Sequence, residues 1–105
     1  MKTSNLTQIL QEFKQAVTEK YALTDIRLFG SNARGDATVD SDIDIFIQTH
    51  DLTNDREKDI YNMAYELELE YDCLIDVILL SDTVIETHAA HLPIYHNILR
   101  EGVLV

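Results

Sequence analysis

The stretch RLFGSNARGDATVDSDIDIFIQ, residues 27–48, contains the pattern that decides the fold. Its branched and aromatic residues predict a short strand that ends at Gly30, and the alternating residues of 41–49 predict a second strand. The Ser, Asn, Gly and Asp residues between them favour a loop or one helical turn. Inside the second strand, Asp42 and Asp44 alternate with isoleucines, although such a segment is typical of a buried core. The two carboxylates therefore need an explanation.

The remaining sequence predicts helices around one further strand. Apolar residues at helical spacing predict four helices, at 4–21, 54–71, 82–90 and 93–100. Ser4 or Asn5 can cap the first of them. The nearly continuous apolar run at 73–80 predicts a third strand that is covered on both faces. This order predicts an α+β fold, a small mixed sheet with helices packed against it, as a single domain over residues 1–105.

The composition limits the class of partner. The 105 residues include 19 acidic and 8 basic side chains, which gives a formal net charge of −11. Polymeric nucleic acid is usually bound through many contacts between Lys or Arg and phosphates, so no direct nucleic-acid binding is expected. A nucleotide differs, because divalent cations can bridge its phosphates to an acidic site.

Cysteine content and hydropathy predict the compartment. The single Cys73 cannot form an internal disulfide, which favours a reducing environment. No apolar run approaches the length of a membrane span, and the chain does not begin with a basic and then apolar leader. A cytoplasmic protein that does not associate with membranes is expected.

Three carboxylates are predicted to share one face of the sheet. Strand residues two positions apart point to the same side, which applies to Asp42 and Asp44, and Asp76 lies in the middle of the third predicted strand. Ionised carboxylates are costly to bury, and neighbouring ones raise one another's pKa values unless cations neutralise them. Clustered oxygen ligands suit Mg²⁺ or Mn²⁺. In the simpler interpretation, these residues lie on a solvent-exposed strand face, pair with an arginine or cap a helix.

The loop before the second strand favours the metal site. Gly30 ends the first strand and frees backbone N–H groups, and Ser31 adds a hydroxyl. Together they could hold the terminal phosphates of a nucleotide while metal ions on the aspartates hold it from the other side.

The spacing of these residues resembles a known family. GS, ten residues and then DID, at residues 30–44, matches the G-S-x10-D-x-D signature of the DNA polymerase β-like nucleotidyltransferases. The fuller GSNARGDATVDSDIDI resembles the minimal nucleotidyltransferase, or MNT, branch of that superfamily. The resemblance implies a core similar to the palm domain of polymerase β and a nucleotidyl transfer that uses two metal ions.

The resemblance also implies a role for each residue of the motif. The catalytic ligands of two Mg²⁺ ions would be Asp42, Asp44 and Asp76. Gly30 and Ser31 would hold the β- and γ-phosphates of ATP. Arg34, in the same loop, would contact a phosphate or the acceptor, or is a plain surface arginine.

The resemblance to the MNT branch further implies a partner. Small proteins of this branch are antitoxins that are paired with a HEPN-domain ribonuclease toxin, and they transfer AMP from ATP to a toxin tyrosine. Two alternatives remain open at this stage. One is a nucleotidyltransferase for small molecules of the aminoglycoside type, and the other is a non-catalytic antitoxin that neutralises its toxin by binding.

Histidines and tyrosines elsewhere in the chain receive simpler interpretations. Three histidines are expected to be solvated or to cap helices, namely His88, His91 and His96. Three tyrosines at helical spacing are expected to be core or interface residues, namely Tyr61, Tyr65 and Tyr71.

Overall fold

A computed structural model describes residues 5–38 and 40–105. It contains the helices and strands α1 (Leu6–Thr18), β1 (Leu23–Phe29), α2 (Ser31–Arg34), β2 (Ile43–Thr49), α3 (Asn54–Tyr71), β3 (Ile75–Ser81), α4 (Asp82–His88), α5 (Pro93–Glu101) and β4 (Val103–Leu104). A short 3₁₀ helix, Ala89–His91, separates α4 from α5. Each element predicted from the sequence is present, with ends that differ by a few residues.

The strands form one mixed sheet in the order β3-β2-β1-β4. β1 pairs antiparallel with β2 and with β4, whereas β2 and β3 run parallel. The predicted α+β class is therefore confirmed. The pair of β4 residues was not predicted, because two residues after Gly102 are too few to show an alternating pattern.

Apolar side chains cover both faces of this sheet. On one face, Ile43, Ile45 and Ile47 of β2 pack against the buried residues of α1 and α3. On the other face, fully buried Phe46 packs with Ile85 of α4 and Ile98 of α5. Burial of each such large side chain contributes about 1.5–3 kcal/mol, so β2 is held firmly from both sides.

Local sequence explains where several helices begin and end. The hydroxyl of Thr53 accepts a hydrogen bond from the Arg56 N–H at the start of α3, and the Ser81 hydroxyl caps α4 in the same way. Pro93 occupies the first turn of α5, where its missing N–H costs little. Asn5 precedes α1 without a side-chain capping bond to it, and Ser4, the other predicted cap, lies outside the described residues.

The tyrosines of α3 do not all lie where the sequence predicted. Tyr71 is half-buried and donates a hydrogen bond to Glu12, which raises its pKa to about 12. Tyr61 and Tyr65 are 44% and 57% exposed, so they are not core residues, and the interface part of their prediction stays a prediction. Ile60 of α3 is fully buried in the core. Tyr61, the next residue along the helix, therefore points to a different side and is exposed.

The predicted positions of Asp42 and Asp76 within their strands also need correction. β2 begins at Ile43, so Asp42 lies just before the strand and is exposed. Asp76 is the second residue of β3 and not its middle, and it too is exposed. Two of the three carboxylates therefore escape the burial cost that the sequence suggested. Among residues 5–38 and 40–105, no helix is both long enough and apolar enough to cross a membrane.

Asp82 fastens α4 to the sheet, and its removal is expected to destabilise the fold. One carboxylate oxygen accepts hydrogen bonds from Thr24 of β1 at 2.7 Å and from Gln48 of β2 at 2.8 Å. These bonds lower the pKa of Asp82. The stabilisation is thus present above the unfolded-state pKa of about 3.9 and is lost as the pH falls through the lower folded-state value.

We therefore expect Asp82→Ala to lower the midpoint of thermal unfolding at pH 7, with a difference from wild type that disappears as the pH falls through the lowered pKa of Asp82. Glu86→Ala removes an exposed acid from the same helix and serves as the control. A loss of stability that persists unchanged in acid would show that the carboxylate charge is not the cause.

Candidate active site

Asp44 and Asp76 lie side by side on neighbouring strands. β2 and β3 run parallel with Asp44 in register with Asp76, so both side chains project from the same face of the sheet. Adjacent strands are about 4.8 Å apart, which places the two carboxylates within reach of a shared cation. Asp42 lies two residues before Asp44, immediately before the start of β2. The sequence prediction that these acids share a face is confirmed for the in-register pair.

Burial and neighbouring charges both affect the pKa of Asp44. Partial burial raises the pKa of Asp44, and the charges of Asp76 and Asp42 raise it further, while Arg34 acts in the opposite direction. Ionisation of Asp44 is therefore less favourable in the protein alone than it is for a free aspartate in water. A cation among the three carboxylates would remove this repulsion.

The turn at Gly30 lies directly against Asp44. Phe29, the last residue of β1, is the register partner of Asp44, and Gly30 follows it. A Cβ on Gly30 would overlap Oδ2 of Asp44. The backbone of Gly30, with φ 71° and ψ −155°, is in a region that only glycine adopts readily. Glycine is thus required here for two reasons, and Ser31 follows at the first position of α2.

Asn32 links this turn to the acidic strand. Its side-chain Nδ2 donates a hydrogen bond of 2.9 Å to the backbone carbonyl of Asp42. The bond holds the loop against the start of β2 and thereby positions the turn relative to the carboxylates. Sequence analysis did not single out Asn32, and its place immediately after the GS pair was the only available signal.

Arg34 stands at the rim of the site. Its Nε lies 3.3 Å from Asp36 and its Nη1 lies 3.4 Å from Glu101 at the end of α5. These ion pairs are exposed, and exposed pairs contribute little, so the guanidinium can be released at small cost. Its influence on the pKa of Asp44 places it near the carboxylates.

Comparison with known proteins decides the family. A profile of the family described as nucleotidyltransferase domain matches residues 10–105. The chain belongs to the nucleotidyltransferase domain family. This nucleotidyltransferase is 35% identical over 82 residues to a proposed protein adenylyltransferase of Methanocaldococcus jannaschii, an alignment that covers 75% of this chain and 83% of the relative.

Solved structures show the same fold. A proposed minimal nucleotidyltransferase superposes with a TM-score of 0.70 at 21% identity, over all of this chain and 97% of the other. A tri-AMPylated Shewanella oneidensis HEPN toxin in complex with MNT antitoxin matches with a TM-score of 0.54 at 24% identity, over 99% of this chain and 71% of the other. The resemblance to minimal nucleotidyltransferases that the motif predicted is confirmed.

The donor set of the nucleotidyltransferase suits Mg²⁺, although it is not a complete cage. Within the described ranges, no three His, Cys, Asp or Glu side chains are grouped closely enough to hold an ion by themselves. Carboxylate oxygens are nevertheless the ligands that Mg²⁺ prefers, and this ion usually completes its shell with waters and substrate phosphates. A cation beside Asp44 would offset the burial and the charge repulsion that raise its pKa. The residues therefore fit metal ions that arrive together with a nucleotide.

The three histidines named in the sequence analysis lie on the surface. His88, His91 and His96 are all exposed, on or beside α4 and α5. His96 Nε2 lies 2.7 Å from the backbone carbonyl oxygen of Ala89, which ties α5 to the preceding 3₁₀ helix. This contact agrees with the predicted capping role.

Proposed function

We propose that this nucleotidyltransferase transfers AMP from ATP to a tyrosine hydroxyl of a partner HEPN-domain ribonuclease toxin, in a Mg²⁺-dependent reaction, and so acts as its antitoxin. The observation that carries the proposal is the in-register pair of Asp44 and Asp76 against the glycine turn at Gly30. A carboxylate cluster beside a sharp backbone turn is an arrangement that can bind a metal-bound triphosphate.

The aspartates divide the work of the transfer. Asp42 and Asp44 would hold the ion that accompanies the triphosphate, and Asp44 and Asp76 would hold the second ion near the acceptor. When bound, the metal ions neutralise the phosphates and lower the pKa of the acceptor hydroxyl. Gly30 and Ser31 would position the β- and γ-phosphates, so the contribution of the protein is mainly placement and charge neutralisation.

The proposed transfer forms one bond and breaks one bond at the α-phosphorus of ATP. The tyrosine oxygen attacks the α-phosphorus and forms a P–O bond, while the bond from the α-phosphorus to the oxygen that bridges to the β-phosphorus breaks. Pyrophosphate leaves with that oxygen, and the phenolic proton passes to solvent. The Asp76 carboxylate is exposed, so a bulky protein acceptor can approach it.

Two of the similar proteins support the choice of AMP and of a protein acceptor. The Methanocaldococcus relative is described as a protein adenylyltransferase, and the Shewanella complex contains an AMPylated HEPN toxin together with an MNT antitoxin. The 35% identity to the first of these extends over most of both chains.

Intact-mass spectrometry tests the proposed function. The protein is incubated with Mg²⁺ and its proposed HEPN-domain partner, separately with each of the four nucleoside triphosphates. We expect ATP alone to add one or more AMP masses to the HEPN protein, at a tyrosine identified by peptide mapping. Absence of any adduct would contradict the proposal. Toxin neutralisation by a double Asp42→Asn and Asp44→Asn variant in cells would indicate a binding antitoxin instead.

Arg34 is expected to assist nucleotide binding. Because its ion pairs with Asp36 and Glu101 are exposed and weak, it is free to turn towards a phosphate. We expect Arg34→Ala to raise the KM for ATP about tenfold with a smaller effect on kcat, since one charged hydrogen bond contributes about 1.5–3 kcal/mol. Arg100→Ala, which removes another exposed arginine, is the control. An unchanged KM would assign Arg34 to the surface alone.

A further inference from the structure

One flank of α3 exposes an apolar stripe. Tyr61, Tyr65 and Leu69 are spaced four residues apart, which aligns them along the helix, and we call them the α3 stripe. Leu69 is 67% exposed, and Leu74, in the segment that leads from α3 into β3, is exposed as well. Contiguous exposed apolar groups of this kind mark interaction surfaces more often than isolated ones do.

The α3 stripe lies beside the outer strand of the sheet. Within residues 5–38 and 40–105, β3 pairs with β2 alone, so its other edge carries no strand from the described part of the chain. The carboxylate of Glu68 accepts a hydrogen bond of 2.7 Å from the Ile75 N–H, which ties this part of α3 to the start of β3. Asp76 directly follows Ile75, so this hydrogen bond also ties the C-terminal part of α3 to the strand residue that carries the third carboxylate.

The geometry of the transfer requires the acceptor to approach from this side. In phosphoryl-type transfer the attacking and leaving oxygens lie roughly in line, on opposite sides of the phosphorus. The turn at Gly30, proposed to hold the leaving phosphates, lies on the β1 side of Asp44. Asp76 lies on the β3 side. An acceptor aligned with these two groups therefore approaches across the β3 edge. Because α3 packs on the sheet face opposite the carboxylates, an acceptor bound to the α3 stripe reaches Asp76 around this edge.

The charge around the stripe selects the kind of protein that fits. α3 carries six acids and two bases, and the exposed acids Glu66, Glu70 and Asp72 surround Leu69. An apolar patch with an acidic rim complements an apolar patch with a basic rim.

We propose that the α3 stripe, with Leu74, is the docking surface for the acceptor protein, and that the acceptor presents an apolar patch rimmed by Lys and Arg next to its modified tyrosine. This inference rests on the proposed function, because it assigns the acceptor side of the same reaction. It also gives the exposed Tyr61 and Tyr65 the interface role that the sequence analysis allowed for them.

A pair of matched substitutions tests the docking surface. Leu69→Ser removes an apolar side chain that is 67% exposed, and Leu104→Ser removes one that is 72% exposed on β4, at the opposite edge of the sheet. The probe is the same proposed HEPN-domain partner. Calorimetric titration gives the Kd of the complex, single-turnover assays give the rate of AMP transfer, and titration with a non-hydrolysable ATP analogue reports the nucleotide site.

We expect Leu69→Ser to raise the Kd of the complex and the KM for the protein acceptor about tenfold, as is typical of a central interface residue, without changing affinity for the ATP analogue. Leu104→Ser should leave all three unchanged. The basic rim predicts that the Kd rises with salt. Equal effects of the two substitutions, or a self-association that only Leu69→Ser abolishes while acceptor binding is kept, would overturn the inference. Weakened binding without AMP transfer by wild type would refute the proposed function and leave the docking surface standing.

Discussion

Asp44→Asn should abolish AMP transfer and, at the same time, make the metal-free protein more stable. The loss of activity should be about 10³-fold or more, because the neutral amide no longer holds either cation at the centre of the site. The gain in stability follows from the environment of Asp44, whose pKa is raised by burial and by the neighbouring Asp76 and Asp42. An amide of the same shape removes that repulsion.

The sign of the pH dependence distinguishes the loss of charge repulsion at Asp44 from a general disturbance of the fold. A carboxyl whose pKa is raised on folding binds its proton more tightly in the folded state, so stability falls as the pH rises through the raised value and stays lower above it. We expect the midpoint of thermal unfolding of Asp44→Asn in EDTA to exceed that of wild type at pH 7 and to approach it in acid. Asp40→Asn, in the same loop and exposed, should change neither activity nor stability. A less stable Asp44→Asn would contradict the described electrostatics.

Gly30→Ala should be the most damaging change that leaves every charge of the site in place. The added methyl group would overlap Oδ2 of Asp44 and would force that carboxylate out of position. A displacement of about 1 Å at a reacting centre costs about 10²-fold in rate. The strained backbone at Gly30 adds about 1–3 kcal/mol of destabilisation, because an alanine does not tolerate this conformation.

Gly35→Ala is the matched control for Gly30→Ala. Gly35 also has a positive φ, 84°, but a Cβ there would meet no atom within 4 Å. It should therefore cost about 1–2 kcal/mol in unfolding free energy while leaving the transfer rate nearly unchanged. Urea unfolding and single-turnover assays on both variants measure the two effects. Similar losses of activity in the two variants would show that contact with Asp44 is not the reason for the glycine.

Periodicity predicted the elements well, because most of them are long enough to show a repeat. α3 was predicted at 54–71 and is observed at Asn54–Tyr71, and the isoleucines of β2 face the core opposite the acids as expected. The motif from Gly30 to Asp44 predicted that its two ends meet, and Gly30 lies directly against Asp44. The roles of these residues in binding and catalysis stay predictions.

Contacts between distant segments could not be predicted in this way. The register that sets Asp44 against Asp76 depends on how β2 and β3 pair, and the contact of Arg34 with Glu101 joins residues 67 positions apart. The exposure of Tyr65 could not be predicted, because helical spacing alone does not show which of two adjacent sides of the helix faces the core.

Manganese binding tests the central claim most directly. Mn²⁺ is titrated into the protein with a non-hydrolysable ATP analogue and followed by electron paramagnetic resonance, for wild type and for Asp76→Asn. We predict about two bound ions per chain in wild type and the loss of one in Asp76→Asn, because residue 76 is proposed to hold only the ion near the acceptor. Equal binding by both proteins would contradict a metal site built from Asp42, Asp44 and Asp76.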